Sequence, residues 1–268
     1  MSESELMLER IRQALRRTPN AAGPVSAPDV PSGPLERLRS LGPLPDVMPA
    51  IPPHQLVPKF EEELRQLAGR AYRASSLPDL ERIVGEILAA ANASSAVLSR
   101  NPLLASLDME ARLRGWGKSV AVWTAPPASL AASAPSADPD PGVRREAEET
   151  FRQRCFSAGV GITGVDFVLA ESGSLVLTSL TEGSQLASLA PPVHVALYRR
   201  DQVLATLEEV LERLPVAREP DAPAPGRSVV FITGPSRTAD IEQILIRGVH
   251  GPREVHAILV EDACLEEA

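Results

Sequence analysis

With 268 residues, 44% of them hydrophobic and 23% charged, the chain is long enough to bury a sizeable core and has the balance of a soluble globular protein. A net charge of -8 excludes a general nucleic-acid binder, which neutralises phosphates with clustered Lys and Arg. Two distant cysteines, Cys155 and Cys264, fall short of the roughly four soft ligands of a zinc or iron–sulfur site and are expected as free thiols.

The acidic N-terminus lacks the apolar core of a signal peptide, and no apolar run approaches the ~20 residues of a membrane span, so a cytoplasmic location is expected. Leu6, Leu8, Ile11 and Leu15 fall at the spacing of a short amphipathic helix over 4–17. Eleven of the 26 prolines then lie between Pro19 and Pro58, a stretch without periodicity that reads as a linker or extended wrap. Residues 1–56 are therefore taken as an N-terminal helix and proline-rich arm, and 57–268 as one α/β domain. Beyond the arm, helices alternate with strands: Phe60–Leu67 helix, Arg70–Ala74 strand, Pro78–Ala91 helix, Ser95–Ser99 strand, Leu103–Arg114 helix and Ser119–Trp123 strand. That alternation predicts a mostly parallel sheet with right-handed crossovers and helices on both faces. After a Pro/Ala-rich loop over Pro126–Pro141 come a helix over Gly142–Ser157 and a strand pair around Glu171. A strand over Val193–Leu197 and a helix over Gln202–Leu214 follow. A further loop, Pro215–Pro225, precedes a strand over Ser228–Ile232, a helix over Asp240–Arg247 and a strand over Val255–Val260.

Polar turns between apolar runs are where such sheets put their ligands. Thr233-Gly-Pro-Ser-Arg-Thr-Ala-Asp-Ile-Glu242 occupies the expected passage from strand to helix. Thr238 suits its N-cap, and Gly234, Ser236 and Arg237 lie where unpaired N–H groups and a forked guanidinium can receive a carboxylate or phosphate. Arg237 can equally pair with Asp240 or Glu171. Ala170-Glu-Ser-Gly-Ser174 has the length of a tight hairpin, with Gly173 free to take φ > 0 and Ser172 and Ser174 able to bond local backbone. Its Glu171 is either a solvent-exposed tip or a carboxylate at a cleft mouth, able to serve as nucleophile, base or cation ligand. In Gly159-Val-Gly-Ile-Thr-Gly164 the glycines match G-x-G-x-x-G spacing, but an apolar strand follows where a helix should begin. The segment reads instead as a loop whose backbone at Gly161, Thr163 and Gly164 approaches a ligand, with Asp166 bracing it or adding a second carboxylate. Thr181-Glu-Gly-Ser184 reads as a turn whose hydroxyls cap a short helix. His194 and His256 lie inside strands and read as structural. His250, in Gly248-Val-His-Gly-Pro252, divides between a catalytic and a bracing role. No metalloprotease, nucleophile-elbow or Walker spacing occurs, and no metal site is expected.

Gly161–Asp166, Ala170–Ser174, Thr233–Glu242 and Gly248–Pro252 together resemble the lactate-utilisation (LUD) domain family over roughly residues 50–262. The resemblance implies a Rossmann-like α/β sheet with extra strands, of the ribose-5-phosphate isomerase and CoA-transferase kind. It also implies a part in oxidising L-lactate to pyruvate beside two iron–sulfur partner proteins. Without cluster cysteines this chain would be a cluster-free subunit, binding no cofactor alone. CoA-transferases of that fold use a glutamate in a Glu-x-Gly turn, which Glu171-Ser-Gly173 is similar to. An acyl- or CoA-transferase-like enzyme using Glu171, or a sensor of a small carboxylate or phosphate, are the alternative readings.

Overall fold

In a computed structural model, residues 50–124, 141–214, 228–239, 245–248 and 250–268 are described. The expected helix over 4–17, the arm up to residue 49, the loops over 126–140 and 215–225 and residues 240–244 lie outside them. Residues Ala50–Ala268 form one compact unit.

The centre of that unit is a sheet of six strands: β1 (Arg70–Ala74), β2 (Ser95–Leu98), β3 (Ser119–Val122), β4 (Val160–Thr163), β7 (Val193–Tyr198) and β12 (Glu254–Val260). Their order is β1-β12-β7-β4-β2-β3, and every pairing is parallel. Buried parallel strands read as continuous apolar runs, and β7 and β4 are buried along their whole length. The crossover helices explain their own starts. In α2 (Leu77–Ala90), Ser76 accepts the Asp79 N–H at 3.3 Å and Pro78 occupies the first turn. Its Leu80, Ile83, Val84, Ile87 and Leu88 form one buried stripe. With α3 (Pro102–Ser106), α4 (Met109–Gly115) and α9 (Asp262–Glu266), that stripe covers one face of the sheet.

The other face carries α1 (Leu56–Gln66), α5 (Pro141–Ser157) and a second sheet, ordered β8-β5-β6-β9. Its strands are β5 (Phe167–Leu169), β6 (Ser174–Thr178), β8 (Val203–Leu204) and β9 (Val229–Ile232). Phe60 of α1 meets Tyr198 of β7 edge to face at 5.3 Å, inside a core shared by both sheets. The mostly parallel sheet with helices on both faces is thus observed. No helix among the described residues is long and apolar enough to cross a membrane.

Four local expectations are corrected. The single helix over Leu103–Arg114 is two, because Asp108 takes a left-handed conformation (φ 49°) between fully buried Leu107 and Met109. The helix expected from Gln202 begins only at Leu207 (α8, Leu207–Arg213), since Val203 and Leu204 pair as β8 beside β5. The Gly159–Gly164 loop is largely strand β4, hydrogen-bonded to β2 and β7 on its two sides. Finally, Arg237–Ala239 is not a turn into a helix but a strand, β10, antiparallel to β11 (Leu245–Arg247).

Candidate functional site

All six strands of the main sheet point one way, and the chain leaves β2 towards β3 on one side but leaves β4 towards β7 on the other. Beyond the carboxyl ends of β2 and β4 this opens a crevice of the kind in which α/β sheets bind ligands. Ser99 and Asn101 follow β2 there, Gly164 and Asp166 follow β4, and Glu182 arrives from the opposite sheet. Glu182 ends a four-residue helix, α6 (Ser179–Glu182), whose N-cap is Thr178 at the end of β6 rather than a residue of the Thr181–Ser184 turn. Ser184 instead accepts the Leu186 N–H at 3.3 Å, at the start of α7 (Leu186–Leu189).

Glu182 has no exposed surface. The Ser99 hydroxyl donates to one carboxylate oxygen and the Asn101 amide to the other. The Asn101 carbonyl oxygen is occupied by the Leu103 N–H at 2.9 Å, which fixes the amide with its NH2 towards Glu182. Asp166 accepts the Thr178 N–H at 2.6 Å and the Thr181 hydroxyl at 2.9 Å. That same hydroxyl lies 3.4 Å from Glu182; its one proton serves Asp166, so it links the two carboxyls when Glu182 carries the proton and donates it to Thr181. Burial pushes the Glu182 carboxyl up to about 7, against its hydrogen-bond donors and with the Asp166 charge adding to the rise. Asp166 is also raised by burial, with the Thr181 and Thr178 bonds opposing. A carboxyl that exchanges its proton near neutral pH, linked through a hydroxyl to a partly buried second carboxyl, is suited to general acid–base work. A Cβ at Gly164 would run into the Asn101 side chain, so this position must be glycine for the crevice to close.

The other polar turns gather elsewhere, at the far end of β6. Four residue steps separate Ser174 from Thr178, about 13 Å at the ordinary strand rise. The Ser172 and Ser174 hydroxyls bond at 2.8 Å, and Ser174 bonds Thr233 at 2.7 Å. Gly173 (φ 64°) sits against α1, where a Cβ would lie 2.5 Å from the Leu64 nitrogen, so the tip is packed rather than open. Glu171 accepts the Leu207 N–H at 2.7 Å and thereby caps α8. Gly234 (φ 88°) passes over Leu67, the C-cap residue of α1. The Arg237 guanidinium donates to the Leu67 carbonyl. With no helix starting at Thr238, Arg237 serves the negative end of α1 and not the positive end of a helix of its own. The Ser236 N–H reaches Pro252 O at 2.9 Å and the Gly248 N–H reaches Ser236 O at 3.1 Å, which ties the loop of exposed His250 to this turn.

Two expected site residues lie inside the sheet. A Cβ at Gly161 would coincide with the Ala187 carbonyl of α7, so the close approach at that glycine is made by the protein's own backbone. The Thr163 hydroxyl bonds His194 Nε2 at 2.8 Å, both residues being fully buried. Burial pushes His194 down to about 3, with the nearby His256 adding to the fall, so the ring is neutral. Thr163→Val should therefore cost about 1–3 kcal/mol, the scale of stranding a buried polar group. Chemical denaturation at neutral pH measures this, and an unchanged midpoint and slope would show the bond contributes nothing.

Sequence reasoning found Gly164 and Asp166 but missed Ser99, Asn101 and Glu182. The available signal was a polar residue directly after a strand (Ser99-Arg-Asn-Pro102) and an acidic residue before a glycine (Glu182-Gly183).

The LUD domain model matches residues 57–260. Lactate utilization protein C of Halalkalibacterium halodurans is 35% identical over 114 residues, 42% of this chain and 49% of the relative. The Bacillus subtilis protein of that name is 36% identical over 107 residues, 39% and 43% of the two chains. The chain thus matches about half or less of the length of these relatives. A crystal structure of a DUF162 family protein from Deinococcus radiodurans superposes with a TM-score of 0.50 at 17% identity, covering 79% of this chain and 99% of that one.

Proposed function

This chain belongs to the LUD domain family, and on that premise we propose that it works in lactate utilisation, as a cluster-free subunit beside iron–sulfur proteins that oxidise L-lactate to pyruvate. The names of its relatives support the pathway. The cysteines support the division of labour: Cys155 and Cys264 are buried in different cores, unpaired, and burial raises both thiols, Cys155 to about 12. Both are thereby favoured as thiols over thiolates.

The observation that carries a chemical role is the Asp166–Thr181–Glu182 chain in the sheet crevice. Converting lactate to pyruvate removes two electrons and two protons. Asp166, the less buried of the two carboxylates, takes the hydroxyl proton of a bound lactate, and Thr181 connects it to Glu182, which exchanges a proton near pH 7. The Cα hydrogen leaves with the electron pair, as hydride, to a two-electron acceptor on the partner proteins, and the carbonyl of pyruvate forms.

The test is a complex purified from native cells with its iron–sulfur proteins, assayed for lactate-dependent dye reduction. Asp166→Asn should lower kcat by about 100-fold or more, the usual contribution of a positioned acid or base, with the complex still assembled. Full activity in complexes lacking this chain, or an unchanged rate with Asp166→Asn, would defeat the proposal. Lactate binding without turnover in any complex would favour a sensor instead.

A further inference from the structure

Beside the crevice, at the carboxyl end of β3, is a second concavity of about 530 Å³ lined by Trp123, Leu186, Ser184, Arg145, Arg152, Glu148 and Glu149. The concavity is open to solvent on one side, and its volume is many times what a three-carbon acid fills. The apolar wall is Trp123 and Leu186. The indole is held in place from two sides: its edge meets Phe151 at 5.1 Å and 72°, and Gly183 (φ 76°) passes so close that any Cβ there would strike the ring. The polar wall is α5. There Glu149 is spent on Arg152, which it holds through two bonds at 2.8 and 2.9 Å, and Glu148 is itself engaged. Arg145 is left as the guanidinium on that wall with no ion pair among the described residues.

We propose that this pocket binds a planar aromatic anion, its ring against Trp123 and Leu186 and its charge on Arg145. A fixed indole offers a π-face that stacks on any flat ring, and a guanidinium adds a forked donor for a phosphate or carboxylate. Glu182 and Ser184 flank Gly183, so such a ligand would sit next to the buried carboxyl while occupying separate space. The proposal stands on the pocket's geometry and does not require lactate as substrate.

The chain has two tryptophans, and Trp116 packs away from this pocket against the core on the opposite face of the sheet. In a Trp116→Phe variant of the full chain, Trp123 is the sole indole reporter. Titration with AMP or phenyl phosphate should give a saturable fluorescence change at millimolar concentration or below. Adenosine and inorganic phosphate should each bind at least about tenfold more weakly, about 1.4 kcal/mol. Arg145→Ala should weaken AMP or phenyl phosphate by a similar factor with the melting temperature unchanged, since Arg145 is exposed. No saturable response to either aromatic anion would overturn the proposal. So would adenosine or inorganic phosphate binding as tightly, or Arg145→Ala leaving affinity unaltered. Loss of lactate turnover in the complex leaves these readouts untouched, so this proposal and the lactate role fail separately.

Discussion

Glu182→Gln should be more stable than the parent protein above pH 7 and equal to it in acid. The folded carboxyl titrates at about 7 against an ordinary 4.5. Below 4.5 both folded and unfolded states carry the proton and the group is neutral to stability. As pH rises from 4.5 to 7 the unfolded chain ionises while the folded one does not, and stability is lost until the folded pKa is passed. At about 1.4 kcal/mol for each pKa step, the two and a half steps amount to about 3.5 kcal/mol at most. Glutamine keeps the shape, accepts from Asn101 with its oxygen and offers its NH2 to Ser99, and cannot ionise. His194, depressed to about 3, works in the opposite direction: its contribution is lost as pH falls below 6.5. The quantity to measure is therefore the difference between variant and parent, from urea unfolding at several pH values. A difference that does not grow between pH 5 and 7, or a variant less stable at pH 8, would show that Glu182 is not held protonated by burial.

The largest stability loss is expected for Gly161→Ala. The new methyl would occupy the position of the Ala187 carbonyl, and Pro191 stands 3.0 Å away, so α7 must leave β4 to admit it. Overpacking of this kind costs about 1–3 kcal/mol and more where backbone must move, so we expect about 3 kcal/mol. Gly85→Ala is the matched control. Gly85 lies inside α2 with nothing within 4 Å of an added Cβ, and alanine there should gain about 0.5–1 kcal/mol. Equal melting temperatures for the two variants would contradict the close approach at Gly161.

These glycines also show what the sequence could and could not convey. Gly161, Gly164 and Gly173 mark places where something comes close, but what comes close is Ala187, Asn101 and helix α1. Glycine reports intimacy without naming the neighbour. The parallel sheet was legible because strands such as Val193–Tyr198, buried on both faces, must be apolar at nearly every position. Strand β4 was not, since three glycines in six residues depress local strand preference, and only its bonds to β2 and β7 make it a strand. Ile241, Ile244 and Leu245 mark too short a stretch for a helical period to be decisive, and Leu245–Arg247 pairs as strand. Glu182 was out of reach for a different reason. Its partners Ser99 and Asn101 lie 83 and 81 residues away, and the burial of a carboxylate is a property of the assembled fold.

Glu182 follows a strand of the four-stranded sheet, whereas Ser99, Asn101 and Gly164 follow strands of the six-stranded one. Arg100 adds two more ties across the same line, to the Glu182 and Leu180 carbonyls. One ionisable group thus rivets two slabs of the molecule together. By reciprocity, whatever slides one slab along the other alters the affinity of Glu182 for its proton, and each proton gained or lost alters the stiffness of the joint by the same free energy. Acidity and mechanics at this seam are one equilibrium, readable with an electrode or with a force.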